Sequence, residues 1–310
     1  MVHCTSYEVT RRLFEHAQRG SVDDMRLILS KECGNDVEQA ALSLRTITHG
    51  KRGDTLAHIA CRCGSLNILR FLCEEVHCRL LLESQNYDGK RPLHEAAQLS
   101  QLDIVQFLID QGCQIDPLKR ADWEGHVHIM SCLLDISPDA WNTSSRNKRT
   151  PLHTAALHGQ LQCVKLLLKR GHYPPDVADN CGTTPFMDAA SADQVAILDC
   201  LAELQKADVT KMDVLGNNSL HLAAQTGATS AVLSLVEKYA LDINSINSWG
   251  QTPLHLSAKA GQDDVVKLLI DLGAVCNVRD NKGRTAYDLA KNNGHNTCCR
   301  LLQHHNMEQQ

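Results

Sequence analysis

The tetrapeptide Thr-Pro-Leu-His and close variants of it recur along this chain at a nearly constant interval. Complete copies begin at Thr150 and Thr252, and variants begin at Thr184, Asn218 and Thr285. The successive steps between these five positions are 34, 34, 34 and 33 residues. A unit of this length cannot bury its apolar face alone, so neighbouring units must stack on one another. The interval therefore predicts an all-α array of stacked helical hairpins joined by turns, rather than one globular core.

Each copy predicts the same local structure. Thr150 suits a helix N-cap, Pro151 suits the first helical position, and Gly159 is placed to end the helix in a left-handed conformation. Apolar residues at three- and four-residue spacing predict the buried faces of two helices: Leu152, Ala155 and Ala156, then Leu161, Val164, Leu167 and Leu168. The glycine position recurs at Gly64, Gly227, Gly261 and Gly294. We expect His153 to bond across the loop to the next repeat rather than to act in catalysis, because a histidine recurs at this position.

With these residues, the chain resembles the ankyrin-repeat family over nearly its whole length. Residues 7–31 resemble an N-terminal capping hairpin, and Tyr287-Asp288 stands where Leu-His is usual, as expected of a C-terminal cap. Full repeats are predicted to begin near Gly53, Asp88, Asn147, Cys181, Leu215, Trp249 and Asn281. The resemblance divides the chain into a cap with repeats at 1–120, an incomplete repeat or irregular joint at 121–146, repeats with a C-terminal cap at 147–302, and a disordered tail at 303–310.

The interval fails once, between Trp123 and Gly125. Asp88 predicts a turn just before Trp123, yet the Gly-His pair that normally closes the first helix follows almost at once. A first helix of at least about 10 residues is therefore missing from the repeat template, and loss of one further complete repeat would leave the same pattern. Two outcomes are open: a weak joint between 1–120 and 126–310, or a junction rebuilt as a compact irregular unit.

Composition narrows the class of function. The formal net charge of -5 argues against a general nucleic-acid-binding surface, which requires a dominant basic footprint. No window holds the roughly 18 consecutive apolar residues of a membrane span, and residues 1–12 lack the apolar core of a signal peptide. The 14 cysteines include Cys163 and Cys200 at helix-core positions, which predicts reduced thiols and a cytoplasmic and nuclear protein.

We expect no metal site, no cofactor and no enzymatic activity. The histidines mostly occupy the histidine position of the repeat, and the pair His126 and His128 has no second half that would complete a zinc site. The sequence shows no glycine-rich phosphate loop, and no nucleophile in a distinctive turn beside a base and an orienting group.

The turn tips are the predicted binding surface. Exposed Tyr, Trp and Arg are enriched at protein interfaces, so we expect a monomer that binds a protein partner through these tips. The candidate partner-binding residues are Tyr87, Lys90, Lys119, Arg120, Trp123, Arg146, Lys148, Arg149, Trp249 and Lys282. The basic residues between Lys119 and Arg149 favour either an acidic partner surface or ordinary solvated tips.

Four stretches go beyond the repeat consensus: residues 86–97, 121–123, 149–156 and 179–182. They are similar to an ankyrin-repeat protein that associates with alanyl-tRNA synthetase and accepts wrongly activated serine on its own lysine side chains, sparing the tRNA. The resemblance implies a co-regulator of editing that acts in translational fidelity. The alternative is a generic scaffold or adaptor with an unrelated protein partner.

The same resemblance implies where serine capture would take place. A neutral amine must attack the activated seryl carbonyl, and arginine is not a usable amine nucleophile at neutral pH. At the matched positions this chain has Arg120, and Asn142 after Trp141, while a third acceptor falls in the missing segment. Lys119 is the obvious substitute near these positions, so partner binding is expected even where the usual acceptor lysines are not retained.

Overall fold

A computed structural model describes residues 7–34, 36–113, 127–136, 146–170, 173 and 176–308. These residues form two compact units. The N-terminal unit holds the described residues up to 113 together with 127–136, and the C-terminal unit holds 146–308. Apart from an isolated bridge between His49 and Asp54, the part of the chain described here contains helices and turns without a β-sheet. The predicted all-α architecture is confirmed.

The N-terminal unit contains eight α-helices among its described residues. They are α1 (Tyr7–Arg19), α2 (Val22–Cys33), α3 (Val37–Thr46), α4 (Leu56–Arg62), α5 (Leu66–Arg70), α6 (Pro92–Gln98), α7 (Leu102–Asp110) and α8 (Val127–Ile136). A π-helical turn, Phe71–Glu75, continues α5, and a 3₁₀ turn, Arg79–Glu83, follows it. The two helices expected within 7–31 are α1 and α2. The repeat pattern did not predict α3, which begins where Asp36 accepts a hydrogen bond from the Gln39 N–H (3.0 Å).

The C-terminal unit stacks five hairpins in two layers. Its helices are α9 (Pro151–Leu157), α10 (Leu161–Arg170), α11 (Pro185–Ser191), α12 (Val195–Gln205), α13 (Ser219–Thr226), α14 (Thr229–Glu237), α15 (Pro253–Ala260), α16 (Asp263–Asp271), α17 (Ala286–Asn292) and α18 (Asn296–Glu308). The odd-numbered first helices pack side by side in one layer, and the even-numbered second helices form the other. Leu152, Ala155 and Ala156 are buried between the layers, as are Val164 and Leu167. The predicted apolar faces are thus confirmed at these positions.

The irregular interval lies outside the described residues. The weak joint and the compact irregular unit therefore both remain predictions, and so do the boundaries at 120 and 146. On the C-terminal side of that interval, α8 packs against α7 within the N-terminal unit. There the Cys132 thiol donates a hydrogen bond to Gln106 Oε1 (3.4 Å).

The glycines predicted to end first helices have the expected left-handed backbone. Its φ angle lies between +73° and +87° at Gly64, Gly159, Gly227, Gly261 and Gly294. Space as well as conformation requires glycine at 159, because a Cβ there would lie 2.7 Å from Gln194 Oε1 of the next repeat. The close approach of successive repeats therefore depends on this position.

His153 joins its own helix to the following repeat. The Thr150 N–H donates to His153 Nδ1 (3.1 Å), so Nδ1 is an acceptor and the ring proton lies on Nε2. Nε2–H then donates to the Thr183 carbonyl of the next turn (3.0 Å). Three further histidines make the same contact: His58 with the Lys90 carbonyl (2.9 Å), His221 with Gln251 (3.0 Å) and His255 with Arg284 (3.2 Å). The predicted inter-repeat bond of His153 is confirmed.

The last repeat uses aspartate in the histidine position. The Thr285 N–H and hydroxyl both donate to Asp288 Oδ2 (2.9 Å each), which closes the helix cap but leaves no ring nitrogen to reach a further repeat. The final helix continues to Glu308, so residues 303–308 are helical and not the disordered tail expected from the sequence. No glycine or proline occurs after Gly294 to end that helix.

The buried histidines predict a loss of stability in mild acid. Burial lowers the pKa of His58, His153, His221 and His255, that of His153 to about 4. Between pH 6.5, the ordinary histidine value, and about pH 4, the unfolded chain binds protons that the folded chain does not. The free energy of unfolding should therefore be highest above this window and decrease as the pH falls through it. For His153 alone the decrease should be on the order of 3 kcal/mol.

Urea unfolding followed by circular dichroism at several pH values would measure this dependence. Burial raises the pKa of Asp188 to about 6, which opposes the trend in the same window, but four histidines outweigh one carboxylate. His153→Gln should flatten the dependence because it removes one titrating ring. A midpoint that stays constant or rises on acidification would contradict the prediction.

Candidate protein-binding surface

The turns between repeats are built around one carboxylate or amide side chain. Asp213 Oδ1 accepts hydrogen bonds from the N–H groups of Leu215 and Asn217, both at 2.8 Å. The same pair of contacts, at 2.8–3.1 Å, is made by Asp179, Asn247 and Asp280, and in the N-terminal unit by Asn86. A side chain that accepts two N–H groups of its own loop closes the turn locally, which leaves the residues at the tip free to face solvent.

Backbone hydrogen bonds connect each tip of the C-terminal unit to the next. The donor and acceptor pairs are Asn180 to Asn147, Val214 to Cys181, Ser248 to Leu215 and Asn281 to Trp249, each at 2.9–3.0 Å. Gly216 permits this approach, since a Cβ there would lie 2.8 Å from the Ser248 nitrogen. We call this row the finger strip; it comprises residues 146–149, 178–183, 211–216, 246–251 and 279–284. Because neighbouring tips are bonded to one another, the strip is a connected edge and not a set of separate loops.

Four predicted binding residues lie on the finger strip and face solvent. Arg146 and Lys148 occupy its first turn, Trp249 its fourth and Lys282 its fifth, and all four are exposed. Half of the Trp249 surface (49%) is accessible, which is large for an indole. The structure thus brings these four side chains onto one edge of one unit.

Arg149 has a different role from its neighbours on the strip. Its guanidinium donates to Asp179 Oδ2 (3.1 Å) and to Asp188 Oδ2 (2.8 Å), and both carboxylates are largely buried. Burial raises the pKa of Asp188 to about 6, although the positive charge of Arg149 opposes that rise. Arg149 therefore supports the turn from within, and most of its side chain is not available to a partner.

The N-terminal unit presents Tyr87 at the tip of its own turn. The Tyr87 N–H donates to the Arg52 carbonyl (2.8 Å), its ring covers Gly53, and 76% of the residue is exposed. Lys90 is half-buried and bonded within the unit, since its Nζ donates to Gln98 Oε1 (2.9 Å) and its carbonyl accepts from His58. The remaining predicted residues, Lys119, Arg120 and Trp123, lie outside the described residues.

Comparison with known families agrees with this geometry. The family model described as "Ankyrin repeats (3 copies)" matches residues 13–121, 118–213, 171–247 and 220–310. The chain belongs to the ankyrin-repeat family. The family match agrees with the observed turns, with the inter-repeat histidines and with the two helical layers of the C-terminal unit.

Curated ankyrin-repeat relatives share about a quarter to a third of aligned residues with this chain. It is 28% identical to ankyrin repeat protein nuc-2 of Neurospora crassa over 77% of this chain and 23% of nuc-2. It is 31% identical to human B-cell lymphoma 3 protein over 48% of this chain and 34% of that protein. It is also 29% identical to the chicken nuclear factor NF-kappa-B p105 subunit over 73% of this chain and 22% of p105. The chain thus spans about a third or less of the length of these relatives.

The ankyrin turns expose further residues that the sequence analysis did not select. Four are aliphatic or thioether side chains: Met212, Val214, Leu215 and Ile246. Two are basic side chains, Lys211 and Arg279. Each occupies a turn position equivalent to that of a selected residue, or directly beside it. Alignment of the repeats on the recurring Asp or Asn three residues before glycine would have found them.

Among the described residues, no three or more His, Cys, Asp or Glu side chains are grouped closely enough to hold a metal ion. In the same part of the chain, no helix combines the length and the apolar character needed to cross a membrane.

Arg149→Ala should destabilise the C-terminal unit by about 3 kcal/mol, because it leaves two buried carboxylates without their cation. Lys148→Ala is the matched control, since this exposed neighbour should change stability by no more than about 0.5 kcal/mol. Urea unfolding of both variants measures the difference. Adding Asp188→Asn to Arg149→Ala should recover part of the loss, because it removes one of the buried charges. Equal effects of Arg149→Ala and Lys148→Ala on the free energy of unfolding would show that the two ion pairs do not stabilise the unit.

Proposed function

We propose that this chain is a protein-binding scaffold that presents its finger strip to a partner. The observation that carries the proposal is the bonded row of turns, which holds Trp249, Leu215 and Val214 exposed at defined positions. A preorganised edge that exposes an aromatic side chain meets the requirements of an interface hot spot, because little conformational entropy is lost on binding. Ankyrin-repeat proteins typically act as interaction scaffolds without catalysis, which supports the same reading. A monomeric state and a cytoplasmic and nuclear location are part of this proposal.

The combined variant Leu215→Ala/Trp249→Ala tests this proposal. Loss of a hot spot costs about 2 kcal/mol or more, so the amount of specifically captured partner should fall at least about tenfold. The matched control is Leu233→Ala, which removes an exposed leucine from α14 on the second-helix layer. Quantitative affinity capture from cell extract, with thermal unfolding to verify the fold, compares the three proteins. Identical capture by wild type and the strip variant would exclude the finger strip as the binding surface.

A narrower proposal makes the partner alanyl-tRNA synthetase. Its support is the resemblance in residues 86–97, 121–123, 149–156 and 179–182, three of which include parts of the turns described above. Under this proposal the chain is a co-regulator of editing in translational fidelity. Serine capture would rest on Lys119, since Arg120 and Asn142 cannot act as amine nucleophiles.

Co-purification with alanyl-tRNA synthetase at low salt separates the two proposals. Enrichment of the synthetase is expected under the narrower one, and its absence would leave the scaffold with an unrelated partner. Incubation with synthetase, ATP and serine, followed by mass spectrometry, should show a seryl adduct at Lys119 that Lys119→Arg abolishes. If the complex with the synthetase forms but Lys119 stays unmodified, serine capture by Lys119 is excluded and binding of the synthetase is retained.

A further inference from the structure

The finger strip is basic although the chain as a whole is acidic. Its five turns contain seven Lys and Arg residues and three Asp residues, whereas the chain carries a formal charge of -5. A local excess of one charge sign on a connected edge attracts a partner of the opposite sign, even when the total charge does not. The question is how much of this charge reaches the surface.

The three acidic residues of the strip are used inside the turns. Asp179 accepts two backbone N–H groups and pairs with Arg149, and Asp213 accepts two backbone N–H groups and the Asn217 amide. Burial alone would raise the pKa of Asp280, but hydrogen bonds from the Arg284 side chain and from backbone N–H groups hold it well below its usual range. The carboxylates of all three residues are therefore occupied by hydrogen bonds within their own turns.

Two exposed acidic residues, Asp208 and Asp242, precede the third and fourth turns of the strip, and each accepts a backbone hydrogen bond from its own loop. Asp208 Oδ1 accepts from the Thr210 N–H (3.0 Å), and Asp242 Oδ1 accepts from the Asn244 N–H (2.9 Å). Neither belongs to the finger strip. Within the strip itself, the exposed charged side chains are cations: Arg146, Lys148, Lys211, Arg279 and Lys282. Hydrogen bonds from Thr210 lower the pKa of Asp208 beside the strip, and Lys211 lies close enough for its positive charge to lower that pKa as well.

Aliphatic side chains stand between these cations. Val214 is 67% exposed and Ile246 57%, and Met212 and Leu215 are also exposed. They occupy the third and fourth turns, which the hydrogen bond from the Ser248 N–H to the Leu215 carbonyl joins (3.0 Å). Trp249 lies on the same pair of turns. An exposed apolar cluster with charged residues on both sides along the chain is a feature of binding surfaces.

We propose that the finger strip binds an extended acidic protein segment that carries aliphatic side chains. The acidic residues of the segment would face Lys211 and the cations at the two ends of the strip, and its aliphatic residues would cover Val214, Ile246 and Trp249. A linear row of turns suits an extended chain, and a segment of about 15 residues reaches ~50 Å. Single-stranded nucleic acid fits less well, since its bases need aromatic platforms and this cluster offers one aromatic ring among four aliphatic or thioether side chains.

This inference rests on the proposed scaffold function and specifies its partner. The probe is a fluorescein-labelled unstructured peptide of about 15 residues, rich in Glu, Asp, Leu and Ile. One control peptide has Gln and Asn for the acidic residues, and a second has Ser for the aliphatic ones. A single-stranded RNA of similar length is the third comparison. Fluorescence anisotropy with the full chain measures each dissociation constant at low and high salt.

We expect the acidic aliphatic peptide to bind at least about tenfold more tightly than either control peptide, and to weaken at high salt. Lys211→Glu/Lys282→Glu should weaken it at least about tenfold by placing like charges opposite the peptide. Lys165→Glu/Lys267→Glu changes the net charge equally on exposed positions of α10 and α16, and should alter binding by less than about twofold. Val214→Ser/Ile246→Ser should weaken binding of the acidic aliphatic peptide but not of its serine version.

The proposal is overturned by any of four results. These are no measurable binding of the acidic aliphatic peptide, equal binding of a control peptide, equal weakening by the two charge-reversal variants, or tighter binding of RNA through Lys211 and Lys282. Failure here is distinguishable from failure of the scaffold function. Loss of captured protein from Leu215→Ala/Trp249→Ala without peptide selectivity would retain the scaffold and reject only the acidic segment as its partner.

Discussion

A hydrogen bond from a buried histidine to the carbonyl of the following turn recurs at four joins between repeats, made by His58, His153, His221 and His255. Met187 stands in the histidine position of the repeat that begins at Thr184, and that repeat packs on the next one without this bond. His153 Nδ1 accepts the N–H at the start of its own helix, which places the ring proton on Nε2 and directs it to the Thr183 carbonyl. One side chain therefore caps a helix and sets the position of the next repeat. The ring must be neutral to do both, and burial lowers the pKa of His58, His153, His221 and His255, which favours the neutral form. Where Asp288 replaces histidine, the cap remains and the link to a further repeat ends.

Side chains with two structural roles also shape the finger strip. Asp or Asn side chains close the turns by accepting two N–H groups each, and the tips are then bonded to one another through their backbones. Because the carboxylates accept hydrogen bonds within the turns, the cations and aliphatic residues beside them are the side chains that the strip exposes to solvent. Arg149 shows the converse, since a basic residue at a tip position is withdrawn by two buried carboxylates. Charge at the surface is thus decided by which partners the turn itself supplies.

Much of the fold could be predicted because ankyrin repeats are stabilised by contacts between neighbours in sequence. The period, the capping threonine at 150, the left-handed Gly159 and the bond of His153 all follow from spacing and residue type. The helix α3 and the extension of α18 to Glu308 do not belong to the repeat template, so periodicity could not predict them. Tip residues were predicted from their chemical type, which selected Trp249 correctly as exposed but could not show that Lys90 is held by Gln98.

The sequence by itself determined the family, the helical hairpins and the row of turns, since each depends on residues within one repeat or its neighbour. Only the tertiary structure decided which tip side chains are available. Val214 and Ile246 look like ordinary core residues in the sequence but face solvent, whereas Arg149 looks like an exposed cation but pairs with Asp179 and Asp188. The physical reason is that exposure depends on the partners brought by the following repeat, about 30 residues away in the chain.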